Sequence, residues 1–189
     1  EISRETCLAL VGLGQRESRQ ALLDRMGGKF PLTEVSARGR ERYLQRLRGE
    51  GVAVKPGLIP LLDWLDARRV PVAVATSTQH ALALEKLALA GLSERFTTVV
   101  CGDQVPKGKP APDVYREALA QIDVDPARCV ALEDSEIGLR AAHAAGLTCI
   151  VVPDLLSPSA EFEPLAHAIV PSLREARTLL ADLLGVGAG

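Results

Sequence analysis

The feature that most constrains this fold is a change of period near residue 56. Downstream of Lys55-Pro56-Gly57, short valine-rich apolar runs alternate with stretches carrying apolar residues at helical spacing. The short runs fall at 70–75, 97–101, 129–132, 148–152 and 168–170. Their length, their valine content and the turn residues around them favour strands covered on both faces over buried helices. The intervening stripes are Leu84, Leu87 and Ala88; then Tyr115, Ala118, Leu119 and Ile122; then Ile137, Ala141, Ala144 and Ala145. Gly91 and Gly146 are placed to end the first and third of these helices. Leu58, Leu61, Leu62 and Leu65 form an earlier stripe, where Pro60 is tolerable because a first turn has no intrahelical N–H bonds to lose. The last helix opens on Ser172 and Glu175, spaced as a capping box, and carries Leu173, Ala176, Leu180 and Leu183. Strand and helix alternating through short turns give βαβ units and a parallel sheet. The expected class is α/β with a Rossmann-like core.

Residues 1–52 do not follow that repeat. Ser3 is positioned to cap a helix bearing Cys7, Leu8 and Val11, which Gly12-Leu13-Gly14 would end. A second helix is expected from about Glu17 through Leu22, Leu23 and Met26. A third, capped by Thr33, should carry Tyr43, Leu44 and Leu47 to Gly49. No strand signal occurs here. The expected organisation is therefore an all-helical lobe over 1–52 and an α/β core over 53–189, and 189 residues suffice for a core with a small second lobe.

Composition excludes some functions. A net charge of −2 gives no electrostatic case for nucleic acid. The arginines between Arg38 and Arg48 are interrupted by glutamates, as on a solvated helix face. No apolar run approaches the roughly 20 residues that span a bilayer. Of the four cysteines, Cys7, Cys101, Cys129 and Cys149, three sit in apolar runs and none forms a CxxC pair, so reduced buried thiols in the cytoplasm are expected. His80, His143 and His167 are scattered, which argues against zinc. Gly12-Leu13-Gly14 lacks the third glycine of a dinucleotide fingerprint, since position 17 is glutamate.

Three expected strand ends carry the chemistry. One leads into Thr76-Ser77-Thr78. The next leads into Gly102-Asp103 and then Lys107-Gly108-Lys109-Pro110. The third ends in Glu133-Asp134. In a single parallel sheet these ends open onto one edge, where ligands of such sheets bind. Hydroxyls and backbone N–H groups cradle phosphoryl oxygens, a lysine offsets their charge, and carboxylates hold a hard cation. Each piece alone has a simpler reading: a helix cap for Thr76-Ser77-Thr78, a solvated loop lysine, and a pair of acids favoured by a helix dipole. Their common position at strand ends favours the joint reading.

These segments resemble the haloacid dehalogenase (HAD) superfamily, in its phosphatase and β-phosphoglucomutase branch with a helical cap. The resemblance rests on Val74-Ala75-Thr76-Ser77, on Gly102-Asp103 through Gly108-Lys109-Pro110-Ala111-Pro112-Asp113, and on Leu132-Glu133-Asp134-Ser135 with Gly138. It implies that Thr76, with Ser77 beside it, binds phosphate. Lys109 would stabilise the phosphoryl group and the nucleophile. Asp134 would ligate Mg²⁺, with Glu133 as a second acid, direct or through water. Residues 1–52 would be most of the cap, with Gln15 and Arg16 reading the leaving group. A small phosphorylated metabolite would be the substrate: a sugar phosphate, phosphoglycolate or a nucleotide.

The family's nucleophile, the first Asp of an Asp-x-Asp-Gly motif on its first strand, is absent from this sequence. The expectation is that the sequence is a piece of a longer protein, with a core lacking its first strand; a protein that truly lacked the motif would also lack the central strand and leave an apolar slot in its sheet, at a cost beyond marginal stability. The piece alone should not turn over substrate. With the motif present, the implied mechanism passes through an aspartyl-phosphate that water hydrolyses. Two alternatives stand beside the phosphatase. One is a phosphosugar mutase, disfavoured because Gly39, between Arg38 and Arg40, falls where that activity wants a basic residue. The other is a non-catalytic module that binds phosphorylated ligands in the same crevice.

Overall fold

The computed structural model describes residues 2–8, 10 and 15–185, without the side chains of Leu8, Gln15, Arg16 and Glu17. The chain divides into two compact units, Glu1–Val52 and Ala53–Gly189.

The first unit holds α1 (Arg4–Leu8), α2 (Gln15–Met26) and α3 (Leu32–Glu50). Ser3 Oγ accepts from the Thr6 N–H at 3.1 Å, the bond that makes it a cap. Val11 and Gly12-Leu13-Gly14 lie outside the described residues. Thr33 is not the cap of α3. The helix begins at Leu32, which is buried, and Pro31 occupies the cap position without a side-chain bond. Burial of Leu32 sets the start one residue ahead of the hydroxyl. The helix also runs past Gly49, to Gly51 in the left-handed region (φ 77°). On its exposed face Arg38 pairs with Glu34 at 2.9 Å and Arg46 with Glu50 at 3.1 Å. This i,i+4 lacing is what a solvated face shows.

The second unit contains α4 (Leu58–Asp66), β1 (Ala73–Thr76), α5 (His80–Leu89), β2 (Thr98–Cys101), α6 (Asp113–Ile122), β3 (Val130–Glu133), α7 (Glu136–Ala144), β4 (Thr148–Val151), β5 (Ala168–Ile169) and α8 (Leu173–Leu183). The α/β class is as expected, and every strand pairing is parallel. Successive residues of a strand point to opposite faces. In β4, Cys149 and Val151 enter a cluster with Val114 and Leu119 of α6 and Leu139 of α7. Ile150 enters another with Leu61 and Trp64 of α4 and Ala176 and Leu180 of α8. Helices therefore cover both faces, which is why 148–152 reads as unbroken apolar sequence. Ser172 Oγ accepts from the Glu175 N–H at 3.3 Å and starts α8.

The strands do not form one sheet. β1 pairs only with β2, while β3, β4 and β5 form a second sheet in that order. Among the described residues no strand lies between β1 and β3. Between them lies an apolar cavity of about 350 Å³, lined from β1 by Ala73 and Ala75, from β3 by Val130 and Leu132, and from the helices by Leu61 and Leu119. Native interiors contain few voids larger than a water molecule, so a space of this size separates the two half-sheets rather than belonging to either core.

Candidate active site

Lys109 sits in the loop between β2 and α6, and its side chain is only 8% exposed. The Lys109–Pro110 peptide is cis. The ammonium donates to the Ala75 carbonyl of β1 at 2.9 Å and to Glu133 at the end of β3. It also lies 4.7 Å from the centroid of the Tyr115 ring. One cation thus ties the carboxyl ends of the two half-sheets together. A lone buried ammonium is strongly disfavoured, so its pairing with a buried carboxylate is required rather than incidental.

Glu133 is turned inward. Its side chain is 7% exposed and accepts from both Lys109 and the Tyr115 hydroxyl. The carboxyl group also lies over Gly138 in the first turn of α7: a Cβ built there would overlap its carboxyl carbon and both oxygens. Only glycine leaves that seat open. Burial, with the Glu133 charge beside it, raises the Tyr115 phenol far above its ordinary range and keeps it a neutral donor. Burial, again with Glu133 adding to it and Lys109 opposing, pushes the neighbouring Cys149 thiol up to about 12.

Thr76 closes β1. Its Oγ1 accepts from the Thr78 N–H at 3.1 Å, so the hydroxyl folds back on its own turn. The Thr76-Ser77-Thr78 hydroxyls do not cap α5. Gln79 holds the cap position but its side chain does not cap the helix, and the His80 N–H is taken by Asp103 Oδ1 at 2.9 Å from the loop after β2. The two loops are tightly apposed: a Cβ on Gly102 would stand 3.1 Å from the Ser77 carbonyl oxygen. Ser77 is exposed.

Asp134 follows β3 and is exposed, while Ser135 Oγ caps α7 by accepting from the Gly138 N–H at 3.3 Å. Mg²⁺ is commonly held by one or two carboxylates together with waters and phosphate oxygens. An exposed carboxylate at a strand end fits one such ligand. Among the described residues no group of three or more His, Cys, Asp or Glu side chains could hold a metal ion. Gln15 and Arg16 open α2, and their side chains lie outside what is described. Cys101 and Cys149 are buried, Cys129 half-buried and Cys7 exposed, all as free thiols. No helix among the described residues is long and apolar enough to cross a membrane.

Sequence reasoning missed two groups. Tyr115 reads as one more apolar member of the α6 stripe, yet its hydroxyl is what holds Glu133. The available signal was its place six residues after Lys109, which on the helix that follows faces the same strand ends. Asp103 reads as a loop residue, and its capping of α5 crosses 23 residues of sequence.

The chain can now be set beside known proteins. A profile of the haloacid dehalogenase-like hydrolases matches residues 1–152. Protein CbbY of Cereibacter sphaeroides is 35% identical over 168 residues, covering 78% of this chain and 72% of that protein. A phosphorylated carbohydrates phosphatase of Thermotoga maritima is 34% identical over 163 residues, covering 85% and 75%. Among solved structures, a variant of CbbY from Rhodobacter sphaeroides in complex with xylulose-(1,5)-bisphosphate superposes with a TM-score of 0.75 at 33% identity, over 90% of this chain and 78% of that one. A putative β-phosphoglucomutase from Thermotoga maritima does so with a TM-score of 0.76 at 31% identity, over 95% and 83%. The chain belongs to the haloacid dehalogenase-like hydrolase family, on its phosphatase and β-phosphoglucomutase-like branch.

Proposed function

We propose that this phosphoric monoester hydrolase acts on a small phosphorylated sugar, with Mg²⁺, through an aspartyl-phosphate whose aspartate lies on a strand upstream of Glu1. The observation that carries the reading is Lys109: a buried ammonium drawn to the carboxyl ends of both half-sheets, where it meets the carbonyl of Ala75, the residue before Thr76. Relatives named for phosphorylated carbohydrates and for a xylulose bisphosphate complex favour a sugar phosphate over the other candidates.

In this reading the Thr76 and Ser77 hydroxyls and nearby N–H groups hold the phosphoryl oxygens. Lys109 offsets charge on the phosphoryl group and on the attacking aspartate. Glu133 and Tyr115 fix Lys109 in place. The aspartate attacks phosphorus in line, the bond to the leaving oxygen breaks, and the second acid of the missing motif protonates that oxygen. Water then hydrolyses the acyl-phosphate and regenerates the carboxylate. Asp134, with Glu133 behind it, would hold Mg²⁺, which supplies further charge neutralisation when bound. We assign the helical unit 1–52 the role of the cap, and Gln15 and Arg16 that of reading the leaving group.

The test is a screen of phosphate esters with the longer polypeptide that includes an Asp-x-Asp-Gly segment, with and without Mg²⁺. Sugar phosphates should be turned over only with the metal, and Asp134→Asn should abolish that activity. An unaffected rate in the variant removes Asp134 from the site. Turnover by a chain confirmed by mass to be residues 1–189 defeats the assignment of the nucleophile.

A further inference from the structure

We infer that Asp103 is a positioning residue for phosphate: it fixes the turn that carries the Thr76 and Ser77 hydroxyls and does not itself touch substrate. This role rests on the function proposed above, in which those hydroxyls hold the phosphoryl oxygens. The turn 77–79 joins β1 to α5. Its β1 end is secured by the parallel pairing of Thr76 with Cys101 and by Lys109 on the Ala75 carbonyl. Its α5 end is secured from elsewhere. The Gln79 side chain does not cap the helix, and the Thr76 hydroxyl is spent on the Thr78 N–H. Asp103 Oδ1 takes the His80 N–H at 2.9 Å and so ties that end to the loop after β2.

Asp103 is itself held. The Cys101 N–H donates to Gln104 Oε1 at 2.9 Å, and the Gln104 N–H donates to the Cys101 carbonyl at 3.0 Å. These two bonds close a turn with Gly102 and Asp103 at its middle. Gly102 lies against the Ser77 backbone. Neighbouring residues of one loop therefore grip the hydroxyl-bearing turn at Ser77 and at His80. A donor serves a phosphoryl group best when its direction is set before the ligand arrives.

The sign of the effect separates this role from two others. A helix N-terminus favours any anion. Were Asp103 only occupying a seat that phosphate could take, its removal would tighten phosphate binding. Were it only stabilising α5, its loss would act as the loss of any cap does. A positioning residue gives weaker phosphate binding when the acceptor is removed, and recovery when an amide restores it. Asp103 is exposed, so its truncation opens no cavity.

The variants Asp103→Ala and Asp103→Asn are made in the longer polypeptide that includes the Asp-x-Asp-Gly segment. The dissociation constant of inorganic phosphate is measured by isothermal titration calorimetry in buffer containing Mg²⁺. Asp103→Ala should weaken phosphate about fivefold, the scale of one hydrogen bond. Asp103→Asn should bind at least as tightly as the parent, since it keeps the acceptor oxygen and loses a charge that repels the anion. Ser172→Ala, which removes the cap of α8, should leave the constant unchanged. Amide hydrogen exchange at 77–80 should quicken in Asp103→Ala and not in Asp103→Asn. Tighter or unchanged phosphate binding by Asp103→Ala overturns the inference, as does an equal loss in Asp103→Asn or in Ser172→Ala. A parent that binds phosphate but turns over no ester defeats the catalytic reading alone, and the same comparisons still decide the role of Asp103. A parent that binds no phosphate defeats both.

Discussion

Replacing Gly138 with alanine sets two effects of opposite sign against each other. The residue is third in α7, and alanine in a helix interior is ordinarily better than glycine by roughly 1 kcal/mol. On propensity alone Gly138→Ala should stabilise. The added methyl, however, falls on the Glu133 carboxyl group. That group is the far end of a flexible side chain, but it is pinned by Lys109 and Tyr115 and almost wholly buried. It can give way only by leaving both partners. Breaking a buried ion pair costs about 3–5 kcal/mol, because an uncompensated charge stays behind. The net expectation is a loss of about 2–4 kcal/mol, from the helix gain set against the broken pair. With urea slopes of about 1–3 kcal/mol/M for small proteins, the unfolding midpoint should fall by roughly 1 M or more at unchanged slope. The same substitution in a Glu133→Ala background meets no carboxylate and should be neutral or mildly stabilising, a coupling of at least about 2 kcal/mol. A Gly138→Ala chain as stable as the parent would refute this account, as would an equal loss in both backgrounds.

Three further outcomes can be checked on the same chain. Ser135→Ala and Ser172→Ala each remove a cap bond and should cost about 0.5–2 kcal/mol in thermal unfolding, whereas Thr33→Ala, at an exposed position that caps nothing, should stay within roughly 0.5 kcal/mol. Stability should fall in alkali. Cys149 and Tyr115 have folded-state pKa values raised above their unfolded ones, so their contribution is intact below about pH 8.5 and is lost as the unfolded thiol and phenol ionise; Cys149→Ala should flatten the decline between about pH 9 and the folded value of about 12, and urea unfolding at stepped pH tests this. With a thiol reagent under native conditions Cys7 should react at once and Cys101 and Cys149 only on unfolding, and rapid labelling of Cys149 in the native chain contradicts its burial.

Much of the fold was legible because period and burial agree. The runs at 97–101 and 148–152 became β2 and β4 within a residue, since both faces of those strands are covered and the sequence shows it. Local caps were legible where the cap bond is local, as at Ser3 and Ser172. They failed where a distant group competes. The three hydroxyls at 76–78 look like a cap for α5, but Asp103 arrives from another loop and takes the His80 N–H. Thr33 failed because burial of Leu32 outweighs a hydroxyl bond. In the site, the sequence brings Lys109 and Glu133 to the same sheet edge, yet nothing local says that Glu133 faces the protein and Asp134 the solvent. That difference follows from the pleat, which sends neighbouring side chains to opposite sides, and from the hole that Gly138 leaves for one of them.

Gly102 has a consequence for how such a chain can change over generations. A Cβ at 102 would stand 3.1 Å from the Ser77 carbonyl oxygen, so any side chain there asks the loop carrying Thr76 and Ser77 to give slightly. Asp103, the next residue, already anchors the start of α5. The loops after β1 and β2 are therefore mechanically coupled, and a substitution at Gly102 or Asp103 should be felt at the start of α5 and at Ser77. Variation should instead be tolerated on the solvated face of α3, where exposed i,i+4 pairs contribute little.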